Sequence, residues 1–499
     1  MNRAVTLALL LFTVAGSAAA KDLLGVFEDA VHSDPVIRQA DANRLAAREA
    51  RPQAWAAVLP QLNGTAGVTG DHNSGTQPFS GENPNGTTFV IPVQATVDTT
   101  TRQWALNLRQ NVFSWSNWMT LKQAGREVAQ AEANYQAAEQ QLILRVAQAY
   151  FAVLTAADTL AADQSALEAI ARQLEQANKR FEVGLIAITD VEDAKAARDT
   201  AASTVIAAKR TLATAEDQLQ EITGQKYDAL AKPGVDMPLA SPDPADESRW
   251  VNISLEQNLS LISSRLAADI ARDNVRIAIG GHLPTLDIVA GRSYQSQGTD
   301  EVFFGEPFIY DTYFNDRQIS LQLTVPLFSG GLTQSKVRQS QYLWIAAKEA
   351  VVQSSRATER QARDAYLGVI SGIARVQSLR QAVESNRTAL KATEAGYDVG
   401  TRTSVDVLNA RKNLVQAETD FAGSRYDYIV SVLQLRLAAG NLDREQLNGI
   451  NAWLTLSEAT SPAVQTPETL APTVSPDTDS APPPAAPPPG PQTPQRRKP

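Results

Sequence analysis

The sequence predicts an α+β membrane protein in which one unit, helix–strand–strand–long helical hairpin, occurs twice. Three observations predict it. The stretch Phe181–Asp193 returns as Tyr397–Asn409, each copy between two long runs of apolar periodicity, with Gly184 and Gly400 at equivalent places 216 residues apart. Similarity at a fixed offset marks a repeat. Leu160, Leu167, Leu174 and Phe181 come back at the same offset as Val376, Val383, Leu390 and Tyr397, and a seven-residue spacing is the seam of a coiled coil. Four segments alternate apolar with polar or small residues over about nine to eleven residues, the length of a membrane β-strand.

Taken in order, residues 1–20 read as a secretory leader: Arg3, an apolar run from Val5 to Val14, then Ala18-Ala19-Ala20. The first repeat covers 21–224. It opens with an amphipathic helix from Leu23 to Val58, stopped by Pro60, with Pro35 near its start where a missing N–H costs little. A strand at about 61–68 and a loop over roughly 69–101 follow. In the strand at about 102–112, Trp104, Leu106, Leu108 and Val112 face one side, broken only by Gln110, while Ala105, Asn107, Arg109 and Asn111 face the other. A helical hairpin spans about 118–223. Its tip is Val183-Gly184-Leu185, with glycine supplying the left-handed backbone that ends a helix. Thr189 is expected to cap the returning helix, with Asp190 in its first turn. Residues 225–250, with Pro233, Pro238, Pro242 and Pro244, form a connector. The second repeat, 251–440, has a helix from Leu255 to Ile279, strands at about 285–294 and 317–325, and a hairpin at about 332–438. Its tip is Val399-Gly400-Thr401, and Ser404 is its expected cap. A short segment, 441–460, follows. The tail, 461–499, carries half of the 26 prolines and is expected to be disordered.

Composition excludes several classes. Only 6% of residues are aromatic, which suits long helices with thin seams better than one thick core. The formal charge of −9 argues against nucleic acid, which selects a basic face. The chain has no cysteine, so disulfides, thiolate metal sites and an acylated cysteine anchor are excluded. His32, His72 and His282 stand far apart, never at metal-ligand spacing. No phosphate loop, nucleophile elbow or paired catalytic carboxylate is present. No catalytic residue, metal or cofactor is therefore assigned. Beyond the leader, no run is expected to approach the ~18 apolar residues of a spanning helix.

The alternating strands fit lipid on one face and water on the other, with Phe113, Trp115, Trp118 and Phe328 just past strand ends as an interfacial belt. A half-buried soluble sheet has the same alternation. Closure is the stronger argument, because membrane β-structure tolerates no edges. Four strands cannot close. Two copies of the chain supply eight strands and three supply twelve; the smaller barrel is filled by its own side chains and the larger keeps a bore.

The residues at the two tips also carry a resemblance. Gln173-Leu174 with Arg180-Phe181-x-Val183-Gly184-Leu185-x-Ala187-Ile188-Thr189-Asp190-Val191, and Gly396-Tyr397-x-Val399-Gly400-Thr401-Arg402-Thr403-x-Val405-Asp406-Val407-Leu408, are similar to the hairpin tips of the TolC family of outer-membrane exit ducts. Gly281-His282-Leu283-Pro284-Thr285-Leu286-Asp287 and Ala149-Tyr150-Phe151-x-Val153-Leu154 add to the match, which runs from about Leu23 to Leu456. The resemblance implies a homotrimer whose twelve-stranded barrel crosses the outer membrane in contact with its lipid and continues as a twelve-helix periplasmic tunnel. The segments after Gly224 and Gly440 would form an equatorial belt. It implies an entrance gated by the inner hairpin, with Tyr397 and Arg402 tied to Asp190 and the Thr189 region. Asp406 would form a ring of carboxylates at the constriction. Related ducts often carry a second ring one turn deeper, where this chain has Asn409. Residues 183–185 and 399–401 would dock a periplasmic adaptor, itself coupled to an inner-membrane transporter of RND, ABC or MFS type. The implied role is an exit duct for multidrug efflux and type I protein secretion. The rival reading, a periplasmic coiled-coil adaptor or scaffold, shares the heptads and the leader but does not need four alternating strands.

Overall fold

The computed structural model describes residues 20–234, 237–303 and 305–459. The leader expected over 1–20, except its last residue, and the tail expected over 461–499 lie outside the described residues.

The chain opens with three short helices, α1 (Leu23–Ser33), α2 (Pro35–Arg48) and α3 (Ala50–Ala56), where the periodicity suggested one. Two prolines explain the breaks. Asp34 ends α1, its N–H donating to the Ala30 carbonyl at 2.8 Å, and starts α2 by accepting from the Ile37 N–H at 3.1 Å, with Pro35 as the first helical residue. Pro52 has no N–H to give the Arg48 carbonyl, so the ladder fails between α2 and α3. The second repeat breaks at the equivalent place. Its helix divides into α6 (Glu247–Gln257) and α7 (Leu259–Ile279) at Asn258, which accepts from the Leu261 N–H at 3.1 Å in the backbone conformation of Asp34.

The strands are longer than the alternation indicated. β1 (Gln61–Glu82) and β2 (Thr88–Phe113) pair antiparallel through the segment expected as a loop over 69–101, and β4 (Thr285–Phe303) and β5 (Glu306–Thr324) do the same through 295–316. These outer portions are rich in Gly, Thr, Asn and Ser, so composition reads as loop. Their ladders are backbone bonds, which do not need apolar side chains. One four-stranded sheet results, in the order β1-β2-β4-β5. Its two halves are joined by β2 and β4, with Trp104 opposite Tyr294 and Leu106 opposite Arg292. Near its base, Arg109 Nη2 and Asn111 Nδ2 both donate to the buried Asp287 carboxylate, at 2.9 and 3.0 Å. Gln110, the one polar interruption of its face, donates to the Val58 carbonyl at 2.6 Å and so closes the end of the entering helix.

Long hairpins leave the sheet: α4 (Trp115–Glu182) with α5 (Ile188–Thr223), and α8 (Leu332–Asp398) with α9 (Ser404–Ala439). At 1.5 Å per residue, α4 and α8 are each roughly 100 Å long. Val376, Val383 and Leu390 of α8, Val205, Leu212 and Leu219 of α5, and Leu160 of α4 are buried as the heptads require, whereas Phe181 at the tip is exposed. Contrary to expectation, α4 is long and apolar enough to cross a membrane by length and composition. More than half of that apolar window is buried, because Ala-rich heptads around Tyr150 and Phe151 build the main core instead. There Phe151 stacks on Tyr426 at 5.6 Å, Tyr150 donates to the Ala231 carbonyl at 2.6 Å, and Trp250 is fully buried.

Beside this core, β3 (Ala229–Pro233) of the connector pairs with β6 (Leu454–Ala459), which follows α10 (Arg444–Asn451). The two non-repeated segments thus meet. Gly440 ends α9 at φ +75°, and a Cβ there would lie 2.3 Å from the Gln257 carbonyl oxygen. Backbone conformation and space both require glycine.

Candidate gate and docking site at the hairpin tips

The two tips repeat at atomic detail. At the end of α4, the Leu185 N–H donates to the Arg180 carbonyl at 2.9 Å and the Gly184 N–H to the Phe181 carbonyl at 2.8 Å. At the end of α8, the Thr401 N–H donates to the Gly396 carbonyl at 2.8 Å and the Gly400 N–H to the Tyr397 carbonyl at 3.1 Å. This is the Schellman pattern, with Gly184 and Gly400 both at φ +77°. Nothing lies within 4 Å of a Cβ added to either glycine. Val183, Leu185 and Val399 are 69, 73 and 75% exposed, so each tip presents apolar side chains on a rigid turn with open space around its glycine.

The returning helices are capped differently from expectation. Thr189 is not a cap: α5 starts at Ile188, its N-cap is Ala187, and no side chain closes it, since alanine has no acceptor. Ser404 is the first residue of α9; the cap is Thr403. Thr403 Oγ1 accepts from the Asp406 N–H at 3.2 Å and Asp406 Oδ2 accepts from the Thr403 N–H at 2.9 Å, a reciprocal capping box. The spacing Thr-x-x-Asp carries this signal in the sequence. The Thr403 N–H first, then the Thr403 side chain and the nearby Arg402 charge, hold the Asp406 carboxyl below its ordinary range. It is thus ionised at neutral pH, half-exposed on the first turn of α9. Asn409 is exposed one turn on and lines a groove of about 440 Å³ with Asp163, Ile170 and Asp193 of the outer hairpin and Arg411 and Lys412 of α9.

Within the chain, the inner hairpin is tied to the outer one through Tyr397, one of the expected gate residues, together with Arg180, Asp398, Gln173 and Ser404, for which no such tie is expected from sequence. Arg180 donates to Asp398 Oδ1 at 3.3 Å, and its guanidinium lies 4.9 Å from the centre of the Tyr397 ring. Gln173 Nε2 donates to the buried Ser404 hydroxyl at 3.3 Å, leaving Gln173 Oε1 buried without a partner. Among the described residues, the side chains of Thr189, Asp190 and Arg402 make no hydrogen bond or ion pair with the opposite hairpin. Gln173 and Arg180 stand in the motif of the first tip and Ser404 reads as a cap, but the pairings Arg180–Asp398 and Gln173–Ser404 have no signature in the sequence, because each depends on the register between separate helices. The inner hairpin is itself cross-linked by Arg411–Glu394 at 2.5 Å, Arg387–Glu418 at 3.2 Å and Arg375–Asp427 at 3.4 Å.

Comparison with known proteins agrees with this architecture. The sequence pattern of the family described as "Outer membrane efflux protein" matches residues 26–225 and 250–441, the two repeats without the connector. The chain is 36% identical over 448 residues to the outer membrane protein TolC of Vibrio cholerae, covering 89% of this chain and 97% of that one. It is 35% identical over 455 residues to TolC of Escherichia coli, covering 90% and 89%. Its fold is similar to the outer membrane protein VceC of Vibrio cholerae, with a TM-score of 0.66 at 22% identity over 84% of this chain and 96% of VceC. It is also similar to the CmeC outer membrane channel of Campylobacter jejuni, with a TM-score of 0.65 at 17% identity over 91% and 97%. The chain is an outer-membrane transport protein and belongs to the outer membrane efflux protein family, as a TolC-type factor.

Proposed function

We propose that three copies of this chain assemble into a passive exit duct, a twelve-stranded barrel continued by a tunnel of helical hairpins, which conducts drugs or secreted proteins out of the cell. The carrying observation is the four-stranded sheet, whose outer strands β1 and β5 each have an edge free of protein partners among the described residues. Such an edge is untenable in lipid. Ring closure by identical copies supplies the missing ladder, and twelve strands leave a bore where eight would not. The apolar face of the sheet, with Leu106, Ile319, Leu321 and Leu323 exposed, meets the lipid. The face with Asn107, Gln103, Gln318 and Gln322 lines the bore.

In this reading the tips close the periplasmic entrance and dock the adaptor of an inner-membrane transporter, which supplies the energy. Arg180, with Asp398 and Tyr397, holds each inner hairpin to its own outer hairpin. Tyr397 and Arg402 face Asp190 and Thr189 of the adjoining chain. Asp406 forms the carboxylate ring. The sheet disfavours a soluble adaptor or scaffold. The test is the mass of the detergent-extracted complex together with its current in planar bilayers. A trimer with discrete channel conductance supports the duct, and a soluble monomer without channel activity overturns it.

A further inference from the structure

On the proposed lipid face of the sheet, three arginines stand in the upper part of the apolar band and just above it. Arg292 of β4 is directly opposite Arg317 of β5, and Arg102 of β2 lies farther out on the same face, opposite Ser296. All three are exposed. Among the described residues none has a carboxylate partner, and the one contact of the group is Arg292 over the Trp104 ring at 5.9 Å. Asp311, the first acidic residue farther out on β5's same face, is six residues from Arg317. The pattern is unfavourable as it stands, since like charges directly opposite in a sheet repel and a nearby apolar medium strengthens that repulsion.

Position explains what would relieve it. Arg317 is seven residues above the strand end at Thr324, which at ~3.4 Å per residue and a tilt of ~40° is about 18 Å from the base of the barrel. Trp104 and Tyr294, paired on the same face, come one step higher, at about 23 Å, close to the top of an apolar band ~25 Å tall. Tyr313, opposite Ser296, follows. Arginine stems of that length reach the outer headgroup level from below. Level with Arg292 and Arg317 is Leu106, and below them Leu108, Ile288, Ile319 and Leu321 continue the apolar strip.

We infer that this strip, with Arg292 and Arg317 as a paired fork and Trp104 and Tyr294 as its aromatic flank, is a binding site for a phosphate-bearing anionic lipid of the outer leaflet. A phosphate between the two guanidinium groups turns a repulsive pair into two charge-assisted, fork-like contacts, while the acyl chains lie along the apolar strip. A phosphorylated glycolipid fits best, because its sugar also meets the aromatic rings.

This inference rests on the barrel reading, and the experiment separates the two. The extracted trimer is titrated with lipid A or phosphatidylcholine and the bound lipid counted by native mass spectrometry. Wild type should hold lipid A at least tenfold more tightly than phosphatidylcholine. Arg292→Gln/Arg317→Gln should lose about tenfold of that retention, Arg292→Lys/Arg317→Lys should keep most of it, and millimolar inorganic phosphate should not displace the lipid. The barrel register is checked with spin labels at Ile319→Cys and Ser320→Cys, which are unique in a chain without cysteine. A label at 319 that reports water removes both the register and the site. A label at 319 in lipid, with lipid A held equally by wild type and the glutamine pair, or released by phosphate, leaves the barrel standing and overturns the lipid site.

Discussion

Placing a charge at Ile319 tests the membrane reading most directly. Ile319 is 85% exposed, stands opposite Ala290, and is five residues above Thr324. That puts it about 13 Å above the barrel base, near the middle of a ~25 Å apolar band. An arginine at mid-membrane costs about 2–4 kcal/mol, and the cost falls toward the interfaces. Threefold repetition raises it to roughly 6–12 kcal/mol per trimer if the copies act independently, comparable with the whole stability of a domain. Ile319→Arg should therefore remove most trimer from the outer membrane. Leu323→Arg, one residue from the strand end, should be nearly tolerated, and Leu321→Arg should fall between. The control is Gln318→Arg, on the opposite face and opposite Gly291, which has no side chain of its own. The trimer fraction is read by electrophoresis of unheated outer-membrane extract and by urea midpoint in vesicles. Equal loss in Gln318→Arg and Ile319→Arg, or no gradient along 319, 321 and 323, would refute the assignment of faces.

Three further outcomes concern the tips. Gly400→Trp puts a bulky residue at φ +77° where open space surrounds the turn; efflux should be lost with trimers still present, and normal drug resistance would take the tip out of the adaptor interface. Tyr397→Phe with Arg402→Ser should raise single-channel conductance, and adding Arg180→Ser should raise it further; each exposed contact contributes about 0–1 kcal/mol, but symmetry triples it. Unchanged conductance in the triple variant would place closure elsewhere. Asp406→Asn keeps an acceptor for the Thr403 N–H while removing the charge, and should abolish most block by a trivalent cation added from the periplasmic side. Because the folded Asp406 carboxyl is held below its ordinary range, both its capping contribution and its charge are fully present above the ordinary carboxylate pKa of roughly 4 and are lost as pH falls through the lower folded value. Block should persist from pH 7 to about pH 4, whereas block lost near pH 6 would point to another group.

Periodicity and turn chemistry alone determined the duplication, the long hairpins and the glycine tips, because these depend on neighbours three, four or seven residues away. The same local reasoning stopped the strands short. Residues 69–101 and 295–316 look like loop by composition, yet they are held by ladders to partner strands, a property of pairing that no single segment carries. It also ran the opening helix past Asp34 and Pro52, and chose Thr189 and Ser404 as caps where the backbone uses Ala187 and Thr403. Only the tertiary structure decided which charges meet. Arg180 reaches Asp398 across 218 positions of sequence and Gln173 reaches Ser404 across 231, because two coiled coils set the register between their helices. The pairing of Arg292 with Arg317 belongs to the same class: each is an ordinary surface charge in its own strand, and the antiparallel register of β4 with β5 sets them face to face.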